Sequence, residues 1–180
     1  MKLEPVVNQP VVETDRFILR PVRRSDAGLI ARYTGDQRVA CMTSSIPHPL
    51  PPGATEAFIT LCQSDKRTED VWVMDGSAQG HAEVMGAIGL NRVDLTQVEI
   101  GYWVAPAFWN AGIASLAVTA LLAANPMKSK TVFGAVFQDN PASARVLTGA
   151  GFDYLGDAEA YSVARKATVP TWTYLKKLGK

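Results

Sequence analysis

The sequence predicts an α/β fold in a single domain, with a mixed sheet of about six or seven strands flanked by about four helices. Strand-like and helix-like segments alternate along the chain, an order that is typical of a sheet covered by helices. The 180 residues are 47% hydrophobic and 19% charged, which is ordinary for one domain with a sizeable core. No repeat, low-complexity tract or long linker divides the chain.

The first half of the chain predicts one strand, two helices and three further strands. Pro21 closes the first strand, and Ser25 and Asp26 are residue types that commonly begin a helix. Four prolines between residues 43 and 53 make that segment irregular. The predicted elements are a strand at residues 16–22, helices at 25–34 and 54–65, and strands at 71–74, 81–91 and 96–104.

The second half predicts two helices and three strands. Apolar residues recur at helical spacing from residue 113 to residue 124, and Asn125–Pro126 stops that helix. Asn140 followed by Pro141 is a favourable helix start, and the segment 149–151 ends the helix. The predicted strands of this half are 131–137, 152–161 and 169–178.

The composition excludes several classes of function. A formal net charge of +1 gives no strong attraction to nucleic acid or to an anionic membrane surface. No apolar run is long enough to span a bilayer, and the N-terminus does not resemble a signal peptide. Cys41 and Cys62 lack metal or redox spacing, and His48 and His81 lie far apart, so we expect no metal site. We therefore expect a reduced, cytoplasmic protein.

The strand–loop–helix segment in the middle of the chain is its most informative part. The strand ends at Ala105–Pro106, a loop occupies residues 107–112, and the helix begins directly after it. The first amides of a helix have no partner within it, and small side chains at Ala111, Gly112 and Ala114 let a phosphate reach them. The loop lacks the lysine of a Walker loop and two of the three glycines of the dinucleotide fingerprint. It suggests a ligand with a pyrophosphate, and a plain strand-to-helix turn is the open alternative.

A second candidate motif is the helix start at Asn140. Asn140, Ser143 and Leu147 recur at helical spacing, so Asn140 and Ser143 share one side of the helix start. One interpretation is structural: Asn140 caps the helix, and Ser143 is a first-turn residue bonded to it. The other adds a ligand contact, since a capping asparagine keeps its amide nitrogen as a donor.

Four motifs, taken in order, carry a family resemblance. They are ETDRFILRPVRRSDA at 13–27, EIGYWV at 99–104, WNAGIA at 109–114 and NPASARVLTGAGF at 140–152. They resemble the GCN5-related N-acetyltransferase (GNAT) superfamily, in the branch named for ribosomal-protein N-terminal acetyltransferases (RimJ/RimL type). There, a strand like EIGYWV precedes a loop like WGKGYA, and a later helix reads like NxxSxxxLxxxGF. The resemblance implies a GNAT-like fold with a mostly antiparallel sheet at residues 13–180, after an N-terminal extension at 1–12.

The resemblance implies acetyl-coenzyme A (acetyl-CoA) as the acetyl donor and a primary amine as the acceptor, joined by direct attack in a ternary complex. The amides of residues 110–114 would hold the pyrophosphate, and the strand that ends at Val104 would bind the pantetheine arm. The implied cofactor-binding residues are Trp103, Val104, Trp109, Asn110, Ala111, Gly112, Ile113, Ala114, Asn140 and Ser143.

Two catalytic residues are predicted, Ser143 from the resemblance and Glu99 from the strand face that it shares with Gly101 and Trp103. Ser143 would donate a proton to the sulfur of the leaving coenzyme. Glu99 would accept the proton of the amine if its strand face lines the cleft, and a solvated or paired Glu99 is the open alternative. Many superfamily members place an acidic tyrosine where this chain has Leu147, so that acid is not assigned. Asn110 stands where the branch usually has glycine, which predicts a tighter loop or fewer phosphate contacts.

The acceptor is expected opposite the coenzyme. Its predicted walls are the proline-rich loop at 43–53 and the strands around Tyr161 and Trp172. The candidate contacts on that loop are Ser44, Ser45 and His48, and a rigid connection is the favoured interpretation for His48. No acidic cluster points to a polycationic acceptor. The α-amine of a peptide N-terminus, a small-molecule amine and a non-catalytic acetyl-CoA-binding domain stay open as alternatives, and so does a homodimer.

Overall fold

The computed structural model describes residues 9–179, which form one eight-stranded sheet and five α-helices. The strands are β1 (Val12–Glu13), β2 (Ile18–Pro21), β3 (Glu69–Asp75), β4 (Gly86–Arg92), β5 (Gln97–Val104), β6 (Thr131–Phe137), β7 (Asp153–Ser162) and β8 (Ala167–Lys177). The helices are α1 (Ala27–Thr34), α2 (Gln37–Ala40), α3 (Ala54–Cys62), α4 (Ile113–Ala124) and α5 (Pro141–Gly149). Within this range, no helix is long and apolar enough to cross a membrane.

The sheet is mixed and mostly antiparallel, as predicted. Its strand order is β1-β2-β3-β4-β5-β6-β8-β7. β5 and β6 run parallel, and α4 connects them as the crossover that a parallel pair requires. The other neighbouring strands of the described chain run antiparallel. The predicted fold class is therefore confirmed, and the counts of strands and helices are close to those expected.

Helices cover both faces of the sheet. The alternation predicted for β5 places Val98, Ile100 and Val104 in a core with α4 and α5. On the opposite face, Ile30 of α1 and Ile59 of α3 pack with β3 in a second core. The odd-numbered residues of β5 thus face the side of the sheet on which α1 and α3 lie.

Several boundaries differ from the prediction. β4 begins at Gly86 rather than at His81, because residues 76–82 form a hydrogen-bonded turn. β1 and α2 were not predicted, since two and four residues are too few to show a periodic pattern. β1 starts at the end of the predicted extension at 1–12, of which residues 1–8 lie outside the described residues.

A buried ion network ties β2 to β3 and to the start of α1. Arg20 is only 2% exposed, and it donates to Asp75 at 2.7 Å and to both carboxylate oxygens of Asp26 at 2.9 and 2.8 Å. Asp26 was expected to cap α1, but its side chain instead accepts from the Arg23 amide at 2.8 Å. Burial opposes ionisation of Asp75, yet hydrogen bonds from Arg20 and Ser77 hold its pKa below the usual value.

Candidate active site

The central feature of the site is a gap between the two parallel strands. β5 and β6 pair only from Gln97 to Ile100 on β5, and the last partner on β6 is Gly134. β5 then continues to Val104 and β6 to Phe137 without pairing to each other. The two strand ends therefore diverge and leave room for an extended ligand between them.

Two backbone amides of β5 face this gap. The carbonyl of Thr96 accepts from the segment before β6 at 2.8 Å, whereas the amide of Ala105 bonds to the segment before β4 at 2.8 Å. Peptide groups alternate in direction along a strand, so the N–H groups of Tyr102 and Val104 point to the β6 side. Both residues lie beyond the last residue that pairs with β6. Their amides are placed to bind a ligand chain that runs along the gap.

The loop between β5 and α4 contains two residues with left-handed backbone. Asn110 has a φ of 59° and Gly112 a φ of 75°. Asparagine tolerates this region better than most residues with a side chain, so Asn110 keeps the turn without a glycine. The indole nitrogen of Trp109 donates to the carbonyl of Val104 at 2.7 Å, which fixes the loop to the end of β5.

The first turn of α4 presents amides that have no partner within the helix. No side chain caps this helix, and its first hydrogen bond runs from the Leu116 amide to the Gly112 carbonyl at 3.1 Å. The amides that precede that bond belong to Ile113, Ala114 and Ser115. Unpaired backbone amides therefore lie where the sequence predicted an anion site. The binding of an anion there stays a prediction.

A guanidinium group borders this loop. Arg16, from the turn between β1 and β2, donates to the carbonyl of Ala111. Its Nη1 also lies 3.8 Å from the position that a Cβ on Gly112 would occupy. Sequence analysis missed this residue because 95 residues separate it from Ala111, and no local pattern links the two.

A cavity of about 620 Å³ lies between α3, the irregular segment before it and the central strands. This volume is within the usual range for a small-molecule site. Glu99, Gly101 and Trp103 line the cavity, so the strand face that was expected at the cleft does border it. The cavity reaches the start of α5, where Asn140 and Ser143 also line it.

A second carboxylate, which sequence analysis missed, lines the same cavity. Strand register places Glu69, Asn91 and Glu99 in one row across β3, β4 and β5. The Glu69 side chain extends over Gly89, where a Cβ would collide with its carboxylate. Desolvation, and then the charges of Glu99 and Asp70, raise the pKa of Glu69. The predicted strand began two residues later, so Glu69 was not assigned to either face.

The start of α5 supplies a pair of hydroxyl groups. The Ser143 hydroxyl lies 2.8 Å from that of Tyr102, which also donates to the Ser143 carbonyl at 3.2 Å. Burial raises the pKa of Tyr102 to about 12, although the hydrogen bond with Ser143 opposes the shift. The side chain of Asn140 accepts from the Ser143 amide at 3.4 Å, so the predicted cap is confirmed. Tyr102 was missed as a site residue because the strand pattern places it on the same face as Val98, Ile100 and Val104, opposite Glu99.

The predicted acceptor contacts divide into two groups. Ser44 and Ser45 line the cavity, whereas His48, Tyr161 and Trp172 are not among its lining residues. On β7 and β8 the lining residues are instead Ala160 and Thr171, because neighbouring side chains on a strand point to opposite faces. The loop at 109–114 also lies outside the lining. No three His, Cys, Asp or Glu side chains between residues 9 and 179 are grouped closely enough to hold a metal ion.

The family follows from a comparison with known protein families. The model of the acetyltransferase (GNAT) domain matches residues 16–153, which is most of the chain. The chain therefore belongs to the GNAT acetyltransferases, a family of acyltransferases that use acetyl-CoA as co-substrate. The resemblance seen in the four sequence motifs is confirmed.

Known relatives agree with this assignment. The uncharacterized N-acetyltransferase YoaA of Bacillus subtilis (strain 168) is 27% identical over 165 residues, which cover 84% of this chain and 88% of YoaA. RimL, a ribosomal L7/L12 α-N-protein acetyltransferase solved with coenzyme A, has a TM-score of 0.79 at 16% identity, over 94% of this chain and 98% of RimL. The ribosomal-protein-S5-alanine acetyltransferase from Vibrio fischeri has a TM-score of 0.75 at 21% identity, over 96% and 98% of the two chains. The solved structures show the shared fold, and they include the branch that the sequence resembles.

Proposed function

We propose that this acetyltransferase moves the acetyl group of acetyl-CoA directly to a primary amine while both are bound. The observation that carries the proposal is the continuity of the cavity with the gap between β5 and β6. Glu99 on the sheet and Ser143 at the start of α5 line the same space. A donor held near α4 and an acceptor entering beside α3 would meet there.

The donor half would be bound mainly by backbone. The amides of residues 110–114 would hold the pyrophosphate, because unpaired amides and the positive end of the helix dipole favour an anion. Trp109 supports that loop through its bond to the Val104 carbonyl. The pantetheine arm would run along the end of β5 and bond to the Tyr102 and Val104 amides, since Trp103 pairs with Ala87 of β4. The side-chain nitrogen of Asn140 is left to donate to the arm because its oxygen caps α5.

The chemistry would use four groups of the chain. The amine nitrogen forms a bond to the acetyl carbon, and the carbon–sulfur bond of the thioester breaks. Glu99 would accept the proton of the amine, and the Val104 amide would stabilise the negative charge that develops on the thioester oxygen. Ser143 would donate its proton to the leaving sulfur. Tyr102 would hold the Ser143 hydroxyl in place through their 2.8 Å contact, and the proton that Glu99 takes from the amine would return to Ser143 through solvent, which closes the proton balance.

The α-amine of a peptide N-terminus is one candidate acceptor. RimL, whose fold this chain shares, is named as an α-N-protein acetyltransferase. An α-amine has a pKa of about 7.7–8.0, against about 10.4 for lysine, so it needs less help from a base at neutral pH. A small-molecule amine is the alternative acceptor for the same chemistry.

The test is product formation with the purified protein. Incubation with acetyl-CoA and a panel of peptides and small amines should release free thiol and give an acetylated amine, detected by mass spectrometry. Thiol release should depend on the amine, because attack occurs in a ternary complex. If acetyl-CoA binds but thiol release is the same with and without every amine, the protein is a non-catalytic binding domain.

Replacement of Arg16 by glutamine should weaken acetyl-CoA binding about tenfold, because the variant loses a charge-assisted bond to the phosphate loop and a cation beside it. Isothermal titration with acetyl-CoA measures the change. Arg24→Gln is the matched control, since it removes the same charge from an exposed position outside the loop. An unchanged affinity of Arg16→Gln would show that the loop keeps its shape and its ligand without this residue.

A further inference from the structure

The walls of the cavity indicate which amines it takes. We propose that the acceptor is a primary amine with a single positive charge and a large apolar group next to the amine. This inference rests on the proposed acetylation of amines and narrows its substrate. Three features carry it: an apolar stripe on α3, an apolar wall that faces it, and a pair of carboxylates at one end.

α3 turns a mainly apolar face towards the cavity, and part of this face also packs against the second core. Ile59, which is 1% exposed, belongs to that core, and Phe58 and Cys62 pack against it. The α3 residues that line the cavity are Ala54, Thr55, Ala57, Phe58, Leu61 and Cys62. Their spacing places them on one side of the helix. Leu61 is 62% exposed, so a large apolar side chain stands open at the cavity. Contact with an apolar group would remove this surface from water.

The segment before α3 forms the facing wall. Ile46, Pro47 and Leu50 of this segment line the same cavity. Between the walls, Gly101 lines the cavity without a side chain, whereas the Glu69 side chain covers Gly89. A Cβ built on Gly101 would meet no atom within 4 Å. A bulky apolar group therefore has both room and apolar surface on two sides.

This facing wall is held in place by the turn between β7 and β8. Arg165 donates to the Cys41 carbonyl at 2.8 Å and binds both carboxylate oxygens of Asp139 at 2.6 and 3.0 Å. The amide of Val163 donates to the Ser44 carbonyl at 3.0 Å. The wall is thus formed before any acceptor binds, and a preformed pocket selects its ligand by shape.

The charged end of the cavity fits one ammonium group. Among the described residues that line the cavity, Glu69 and Glu99 carry the carboxylates. Glu69 reaches over Gly89 towards the point where β5 leaves β6, so both acids lie near the proposed reaction centre. Arg67 also lines the cavity and is paired with Asp70 at 2.7 Å. A second cation on the acceptor would lie against the apolar walls. Moving a charge from water to an apolar surface costs free energy.

The test compares amines that differ in one property at a time. The kcat/KM for phenethylamine should exceed that for ethylamine by about 10–200-fold, and spermidine should be acetylated less efficiently than phenethylamine. Peptides that begin with phenylalanine should likewise exceed peptides that begin with serine. A higher kcat/KM for the phenylalanine peptide would indicate a peptide acceptor, and a higher kcat/KM for phenethylamine would indicate a small-molecule acceptor. Either result supports the proposal.

A variant of the apolar stripe tests whether these residues cause the preference. Leu61→Ser should lower the ratio of kcat/KM for phenethylamine and ethylamine about tenfold. Leu155→Ser is the matched control, because Leu155 is 60% exposed on β7 and is not among the lining residues. The control should leave the ratio unchanged.

The outcomes separate this inference from the proposed function. Acetylation of ethylamine or spermidine as efficient as that of phenethylamine would overturn the inference and leave amine acetylation intact. A preference for apolar amines that Leu61→Ser does not change would also overturn the assignment of these walls. If no amine in the panel is acetylated, the proposed function and the inference both fail.

Discussion

Replacement of Glu99 by glutamine will lower kcat/KM for the amine by about 10²–10⁴-fold and leave the affinity for acetyl-CoA unchanged. Glutamine keeps the shape of the side chain but cannot accept a proton, so an amine that enters as ammonium stays unreactive. The loss should shrink as the pH rises towards the pKa of the amine, because free amine then forms without a base. Thiol release measured between neutral and alkaline pH gives this profile.

Two variants make the Glu99 result specific. Glu159→Gln removes an exposed acid from β7, outside the residues that line the cavity, and should have no effect. Glu69→Gln should act mainly on KM for the amine, because that carboxylate neutralises the ammonium without taking its proton. If Glu99→Gln also raises only KM and keeps the pH profile of the unmodified protein, Glu99 binds the amine and is not its base.

Replacement of Arg20 by methionine will lower the free energy of unfolding by about 3–5 kcal/mol, since it leaves two carboxylates buried without their partner. Asp26 and Asp75 both lose a direct bond to the guanidinium, and their remaining hydrogen bonds cannot neutralise the charge. Small domains are stable by about 5–15 kcal/mol, so the variant will be only marginally folded. Urea denaturation followed by circular dichroism measures the change.

The surface ion pair of Arg38 and Asp36 provides the control. Its side chains are 65% and 27% exposed, so water already screens the pair. Arg38→Met should therefore change the stability far less than Arg20→Met does. A loss below about 1 kcal/mol for Arg20→Met would show that the buried carboxylates become protonated or hydrated at little cost, contrary to the account of the network.

The positions of the loop before α4 and of the start of α5 could be predicted because their signals are local. A strand, small residues and a helix start follow one another between Ala105 and Ala114. The cap at Asn140 needed only Pro141 and the spacing to Ser143. Such patterns depend on a few consecutive residues, so they survive without knowledge of the tertiary fold. The central strands and the long helices were predictable for the same reason.

The missed residues depend on contacts between distant parts of the chain. Glu69 reaches the site through the register of β3 with β4, which no sequence pattern specifies. Arg16 meets Ala111 across 95 residues. Tyr102 shares a strand face with three apolar residues in the sequence, and only the divergence of β5 from β6 brings its hydroxyl to Ser143.

The apolar stripe of α3 shows a different limit. The sequence indicates that Ala54, Phe58, Leu61 and Cys62 share one face of a helix, and core packing is the usual reason for such a face. In the structure, Phe58 and Cys62 do pack against the core, but all four residues also border the cavity. Periodicity defines a face but does not say whether protein or ligand covers it.

The most direct measurement is a thermal melt with and without acetyl-CoA, made on the unmodified protein and on Gly112→Val. Acetyl-CoA at about a hundredfold excess over its dissociation constant should stabilise the unmodified protein by about 2.7 kcal/mol, or about 5–10 °C in Tm. Gly112→Val should lose this shift, because it places a side chain at the phosphate loop. Gly80→Val is the control, since Gly80 has a similar φ of 78° in a turn outside the loop, so the backbone strain is matched. We expect a shift in Tm for the unmodified protein and for Gly80→Val, and none for Gly112→Val. No shift in the unmodified protein, or an equal shift in Gly112→Val, would contradict the assignment of this loop as the acetyl-CoA site.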